Sequence, residues 1–145
     1  LDLPSNTFDT IVISSVLEHI AEPQLLMNEM CRILTKDGKM LLNTPFYYSL
    51  HAEPHDYYRY TNFALEYMSE KAGFKVLRLE PYAGAPEVLT DICAKILVKL
   101  PVLGKPIAKL IQWFTWQLIH TGIGKRFSNI TAKKFPMGYL LICTK

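Results

Sequence analysis

The run FDTIVIS, residues 8–14, constrains this chain more than any other stretch. It is short, apolar and rich in β-branched residues, and it follows the turn-forming Pro4-Ser5-Asn6, so it reads as a buried strand. It is apolar on both faces, the pattern of a central strand in a parallel sheet covered on both sides. Edge strands are seldom built that way. A first strand of this kind needs a neighbour. The chain is therefore expected to be the C-terminal part of a larger doubly wound sheet.

The segments that follow keep a regular period. SSVLEHI leads to Glu22-Pro23, and proline is tolerated in the first turn of a helix. From Gln24 to Leu34, Leu25, Leu26, Met30, Ile33 and Leu34 recur at helical spacing with Glu29 and Arg32 between them. Asp37-Gly38 is expected to end that helix, and KMLLNTP to form a second buried strand. Thr61 has the chemistry of an N-cap, and NFALEYMSEKAGF reads as a helix stopped by Gly73. KVLRLEPY alternates apolar and charged residues as a strand with one wet face does. The order strand, helix, strand, helix, strand predicts an α/β layer fold with parallel crossovers. MGYLLICT supplies a final strand. Ahead of it, EVLTDICAKILVKL and KPIAKLIQWFTWQLIH are longer amphipathic segments separated at Pro101, Gly104 and Pro106, which reads as two helices. The expected organisation is a core over 1–82, a helical insertion over 83–136 and a last core strand over 137–145.

Half of the 145 residues are hydrophobic, enough for one core and too many for a disordered chain. The net charge of +3 hides an asymmetry: residues 1–90 carry seven Lys/Arg against twelve Asp/Glu, and residues 91–145 carry nine against one. Within 91–134, Lys95 and Lys99, then Lys105 and Lys109, recur four apart, and Trp113, Phe114 and Trp116 stand among leucines and isoleucines. Two readings stay open for this segment. One is peripheral membrane contact through interfacial helices, and the other is a helical lid over a binding site with a solvated basic face. Nucleic acid also fits a basic stripe, but the aromatics lie in apolar runs rather than among the lysines, which weighs against it. The longest uncharged run, 110–124, has fifteen residues, fewer than the roughly 20 that a spanning helix needs. Cys31, Cys93 and Cys143 are far apart, in apolar context and without a C-x-x-C pair, as expected of buried thiols in a cytoplasmic protein. The first residues lack the basic and apolar regions of a signal peptide.

Leu3-Pro4, Phe8-Asp9, Leu17-Glu18-His19, Arg32-Ile33-Leu34 and Asp37-Gly38 together resemble the second half of the class I S-adenosylmethionine-dependent methyltransferases of type 11. The likeness covers about the first 80 residues and the last strand. It implies a Rossmann-like methyltransferase sheet in which 8–14, 39–44, 75–81 and 137–144 are strands four to seven, the last antiparallel between the fifth and sixth. The family's glycine-rich loop, its ribose-binding acid and its adenine-binding acid have no counterpart here. What the resemblance leaves of the S-adenosyl-L-methionine site is one wall, Ser14, Ser15 and Val16, touching the cofactor through backbone atoms.

The same resemblance places HAEPHDYYRYT, residues 51–61, beside the acceptor. Methyl transfer from a sulfonium is an in-line displacement that asks the protein to align the acceptor, remove its proton and exclude water. His55 or His51 would serve as base, with His19 as a further base or orienter. Asp56, Tyr57, Tyr58, Arg59 and Tyr47 would hold a polar or anionic acceptor. A plain surface loop, with Asp56 and Arg59 paired and the tyrosines packed, is the alternative. His51 and His55 have the spacing of metal ligands on one helix face, but Pro54 opposes a helix there, and no metal site is expected. The function implied is methyl transfer to a small-molecule or lipid-linked acceptor, with this chain alone inactive. The competing reading is a non-catalytic module that binds a partner or a membrane surface. A homodimer through the open strand edge is a further expectation.

Overall fold

The computed structural model describes residues 2–145. They form two compact units, one comprising the described residues up to Phe46 with 50–80 and 138–145, and the other 47–49 and 81–137.

The first unit holds β1 (Phe8–Ser14), α1 (Pro23–Ile33), β2 (Leu34–Pro45), α2 (Asn62–Lys71), most of β3 (Lys75–Tyr82) and the last strand, β4 (Gly138–Thr144). The sheet order is β1-β2-β4-β3, with β1 parallel to β2 and β4 antiparallel to it. Register rows explain its two faces. Ile11 pairs with Met40 and Met40 with Cys143; Ile13 pairs with Leu42 and Leu42 with Leu141. These rows meet Met27, Met30 and Cys31 of α1 and Leu65 of α2 in one apolar core. The alternating row, Val12, Leu41 and Ile142, faces the other way. Val12 is 72% exposed and its two neighbours are half-buried.

Two expectations are corrected here, and one is met: Phe8–Ser14 is a strand, and it lies at the open edge of the sheet, as expected of a half-sheet. Among the described residues no strand pairs with its outer edge, and its Val12 face is exposed. The α1 helix ends at Ile33, ahead of Asp37-Gly38, and β2 begins at once with Leu34. The step from Leu34 to Lys39 faces the step from Phe8 to Thr10, an irregularity in the ladder that contains Asp37 at φ 64°. Lys145 closes the helix end instead: its Nζ donates to the Arg32 and Leu34 carbonyls at 3.2 and 2.7 Å. Cys31 and Cys143 are buried as expected, and burial pushes the Cys143 thiol up to about 11. Cys93, expected to be buried, is exposed on a helix of the second unit.

Other local readings hold. The Thr61 hydroxyl accepts from the Ala64 amide at 3.2 Å, an N-cap for α2, and Gly73 follows the helix at φ 92°.

The second unit is helical: α3 (Ala85–Leu97), α4 (Gly104–Ile119) and α5 (Gly122–Ala132). Sequence reading finds only the first two. Gly122, Gly124, Ser128 and Asn129 weaken helix propensity in the third, yet small residues are what let it pack. At Gly84 a Cβ would collide with the Ser128 carbonyl and the Thr131 hydroxyl of α5. The Gly84 amide donates to Ser128 Oγ at 3.2 Å, and Ser128 Oγ donates to Glu87 Oε1 at 2.6 Å. No described helix is long and apolar enough to cross a membrane.

Candidate functional site

β1 and β2 are adjacent parallel strands, and the chain leaves both at the same carboxyl edge of the sheet. After β1 comes the turn Ser14–Val16 and one 3₁₀ turn, Leu17–His19. After β2 comes the polar loop, with no helix or strand from His51 to Thr61. The loop docks on the turn through its backbone: the Tyr57 and Tyr58 amides donate to the Glu18 carbonyl at 2.9 and 3.3 Å. Below them the buried Tyr60 hydroxyl donates to the Leu17 carbonyl at 3.1 Å, and burial holds its ionisation well above the usual tyrosine range.

Within this frame four of the expected side chains converge. His19 and His51 meet edge to face, with ring centroids 4.7 Å apart and Nε2 atoms 3.1 Å apart. Asp56, its side chain only 2% exposed, takes a forked pair of bonds from Arg59 at 2.6 and 2.7 Å and a third from the His51 amide at 2.9 Å. The Arg59 bonds above all, and then the His51 amide, hold its carboxyl well below the usual range. Asp56 Oδ2 also lies 3.4 Å from His51 Nδ1.

The other expected residues take different places. His55 presents an exposed ring whose Nδ1 bonds the Tyr57 hydroxyl at 2.9 Å, and its carbonyl accepts from His19 Nδ1 at 2.8 Å. Its link to the histidine pair is thus through its backbone. Tyr58 donates to the Ala21 carbonyl at 3.0 Å, which ties the loop to the start of the crossover. Tyr47 belongs to the second unit, where its ring tilts against Phe135. The helical face needed for a His51–His55 metal pair does not form.

The Ser14–Val16 turn has a definite shape. Ser15 sits at φ 50°, its amide donating to Asn43 Oδ1 at 3.0 Å, and Ser14 Oγ bonds the same oxygen at 3.1 Å. The turn is exposed, and Val16 is 42% exposed. With the Ser15 amide and the Ser14 hydroxyl engaged by Asn43, the turn carbonyls and the Val16 side chain are what a ligand at this edge would meet.

One residue that sequence reasoning left without a role is Glu18. Its side chain is fully buried, Oε2 accepts from the Thr44 hydroxyl at 3.3 Å, and Oε1 has no hydrogen-bond partner among the described residues. The signal was its place in Leu17-Glu18-His19. A glutamate in an otherwise apolar crossover is costly unless something holds it.

A four-strand sheet whose last strand runs antiparallel between the second and third is the C-terminal half of the class I S-adenosylmethionine-dependent methyltransferase fold. Residues 1–42 match the family model of a methyltransferase domain. No curated protein sequence matches the chain. Among solved structures it is similar to a SAM-dependent methyltransferase from Archaeoglobus fulgidus, at 18% identity and TM-score 0.57 over 99% of this chain and 62% of that one. It is equally similar to the [4+2]-cyclase SpnF, at 18% identity and TM-score 0.57 over 100% of this chain and 52% of that one. A phosphoethanolamine N-methyltransferase from Haemonchus contortus, in complex with S-adenosyl-L-methionine, matches at 16% identity and TM-score 0.54, over 99% of this chain and 34% of that one. The chain thus spans about half to three-fifths of the first two proteins. At such identities the likeness establishes the fold, and a cyclase among the neighbours marks how little the fold alone says of the reaction.

Proposed function

We propose that the chain contributes the acceptor side of a methyltransferase site, with S-adenosyl-L-methionine at the Ser14–Val16 turn and the acceptor at the histidine cluster. The observation that carries this reading is the meeting of His19, His51, Asp56 and Arg59 at the carboxyl edge of β1 and β2, one strand end from the turn. The cofactor, when bound, supplies a methyl group on a sulfonium.

The chain's own residues do the rest. His19 is oriented by the His55 carbonyl, and His51 stands beside Asp56 and Arg59, so each ring is fixed by a partner behind it while the Nε2 atoms face each other. An Nε2 lone pair there takes a proton from an acceptor hydroxyl or ammonium. The Arg59 guanidinium, although paired with Asp56, keeps 21% of its side chain at the surface and favours an acceptor with an anionic group.

The exposed aromatics of the second unit support a further role, peripheral contact with a lipid surface, and with it a lipid-linked acceptor. Trp113, Phe114 and Trp116 are each more than half exposed, and Ile123 is 84% exposed.

The test is a calorimetric titration with S-adenosyl-L-methionine of the 145-residue chain and of a chain extended upstream by a glycine-rich strand-loop segment. Binding by the extended chain, abolished there by a bulky residue at Ser15, supports the proposal. Binding by neither overturns it and leaves the methyltransferase likeness as one of fold.

A further inference from the structure

The buried, unpartnered oxygen of Glu18 and the facing ring nitrogens of His19 and His51 converge on one point. Glu18 Oε1 lies 3.9 Å from His19 Nε2 and 3.8 Å from His51 Nε2, and the two nitrogens are 3.1 Å apart. We propose that these three side chains form a binding site for a first-row divalent transition ion, of which zinc is the reference case.

The geometry behind the three atoms supports it. His19 Nδ1 bonds the His55 carbonyl at 2.8 Å; a carbonyl can only accept, so that nitrogen carries the proton and Nε2 presents a lone pair. His51 Nδ1 lies 3.4 Å from both Asp56 Oδ2 and an Arg59 nitrogen, so this ring can take either tautomer. Set against Arg59, it turns an Nε2 proton towards His19. Set against Asp56, it turns a second lone pair there. Neither tautomer gives Glu18 Oε1 a donor. A dication satisfies all three atoms at once and offsets the charge of a carboxylate that has no exposed surface.

The outer partners have the form that metal-bound histidines require, a carbonyl behind one ring and a carboxylate behind the other. With metal–nitrogen bonds of about 2.0–2.1 Å, tetrahedral donors stand about 3.4 Å apart. The separations present, 3.1 to 3.9 Å, bracket that value. Two imidazoles with one carboxylate suit zinc, iron, cobalt or nickel, and disfavour magnesium and calcium, which take oxygen shells.

Three protein ligands leave a coordination position open. The glutamate closes the buried side, while the histidines are 21% and 30% exposed, so the open position faces solvent. An oxygen or nitrogen donor of a substrate would occupy it. That last assignment rests on the methyl-transfer reading, with the ion taking the place of an Nε2 base because both lone pairs are then bound to it; the ion site itself does not rest on that reading.

The site is tested by titrating the metal-free 145-residue chain with zinc chloride in a non-chelating buffer, and by following the visible spectrum with cobalt(II). The expected result is one equivalent bound at micromolar or lower Kd and tetrahedral or five-coordinate cobalt bands. Binding should weaken on the order of 100-fold in Glu18→Gln and in His51→Gln, and stay unchanged in His120→Ala, which removes a histidine far along the chain. His51→Gln keeps the His51 amide bond to Asp56, so the loop stays anchored, and circular dichroism checks the fold of each variant. Absence of binding by the parent chain overturns the proposal. So does binding that survives intact in Glu18→Gln and His51→Gln, because it would belong to other ligands. Because the readout is metal binding, its failure is separate from failure to bind S-adenosyl-L-methionine.

Discussion

Asp56 is the residue on which the loop 51–61 is organised. It accepts from Arg59 twice and from the His51 amide once, with its side chain almost wholly buried. Removing it strands the partly buried Arg59 guanidinium and a loop amide, so Asp56→Ala should cost about 3 kcal/mol, measured by urea unfolding at neutral pH. The sign of the pH effect follows from the direction of the shift. The folded state holds the Asp56 proton less tightly than the unfolded chain does, so the pair's contribution is whole above the ordinary carboxylate range, about pH 4, and drains away as pH falls below it. The stability difference between the parent chain and Asp56→Asn should therefore shrink as pH is lowered from 5 to about 2. A difference that does not change with pH would refute the ion-pair account. The pairing of Asp56 with Arg59, three residues apart, was legible in the sequence. The approach of His51 to His19 was not, because it joins residues 32 positions apart through a loop whose conformation no local pattern fixes.

At the scale of elements, most strands and helices follow from period and capping, and the departures have physical causes. β1 was legible as a strand from its β-branched run, but burial depends on what packs beside it. Here only one face is covered, and the Val12, Leu41 and Ile142 row on the other is partly exposed, Val12 most of all. An open, apolar edge recruits strands from other copies. The isolated chain should self-associate at high concentration, and Val12→Lys should shift it towards monomer in sedimentation velocity. An unchanged distribution would show that the β1 edge is not the contact. The early end of α1 has a similar lesson: its Arg32 and Ile33 carbonyls accept from the Asn6 and Thr7 amides and Arg32 also from Lys145, partners that no reading of 23–38 could supply. α5 escaped notice because glycine and serine count against a helix locally, while the close approach of Ser128 and Thr131 to Gly84 is a tertiary contact.

Over the whole molecule the charge divides as the sequence states, acidic up to residue 90 and basic beyond it. Lys95 is already engaged, by Asp91 at 2.6 Å and by the Tyr48 ring at 3.5 Å, which leaves Lys99, Lys105 and Lys109 as the lysines on which a lipid surface would draw. Vesicles of phosphatidylserine and phosphatidylcholine should co-sediment the protein at low salt and release it at high salt, and Trp113→Ala with Trp116→Ala should weaken the association. Failure to bind at low salt would remove the membrane role. What the sequence determined by itself is the part that short-range chemistry controls. Apolar period set the strands and helices, the Leu17-Glu18-His19 and Asp37-Gly38 motifs pointed to the methyltransferase sheet, and Thr61 and Gly73 marked the limits of α2. Only the tertiary structure decided that Cys93 is exposed while Cys143 is sealed, and that Glu18, His19 and His51 share one point. Burial and convergence are properties of packing between segments far apart in the chain, and a local pattern fixes which face is apolar without fixing what covers it.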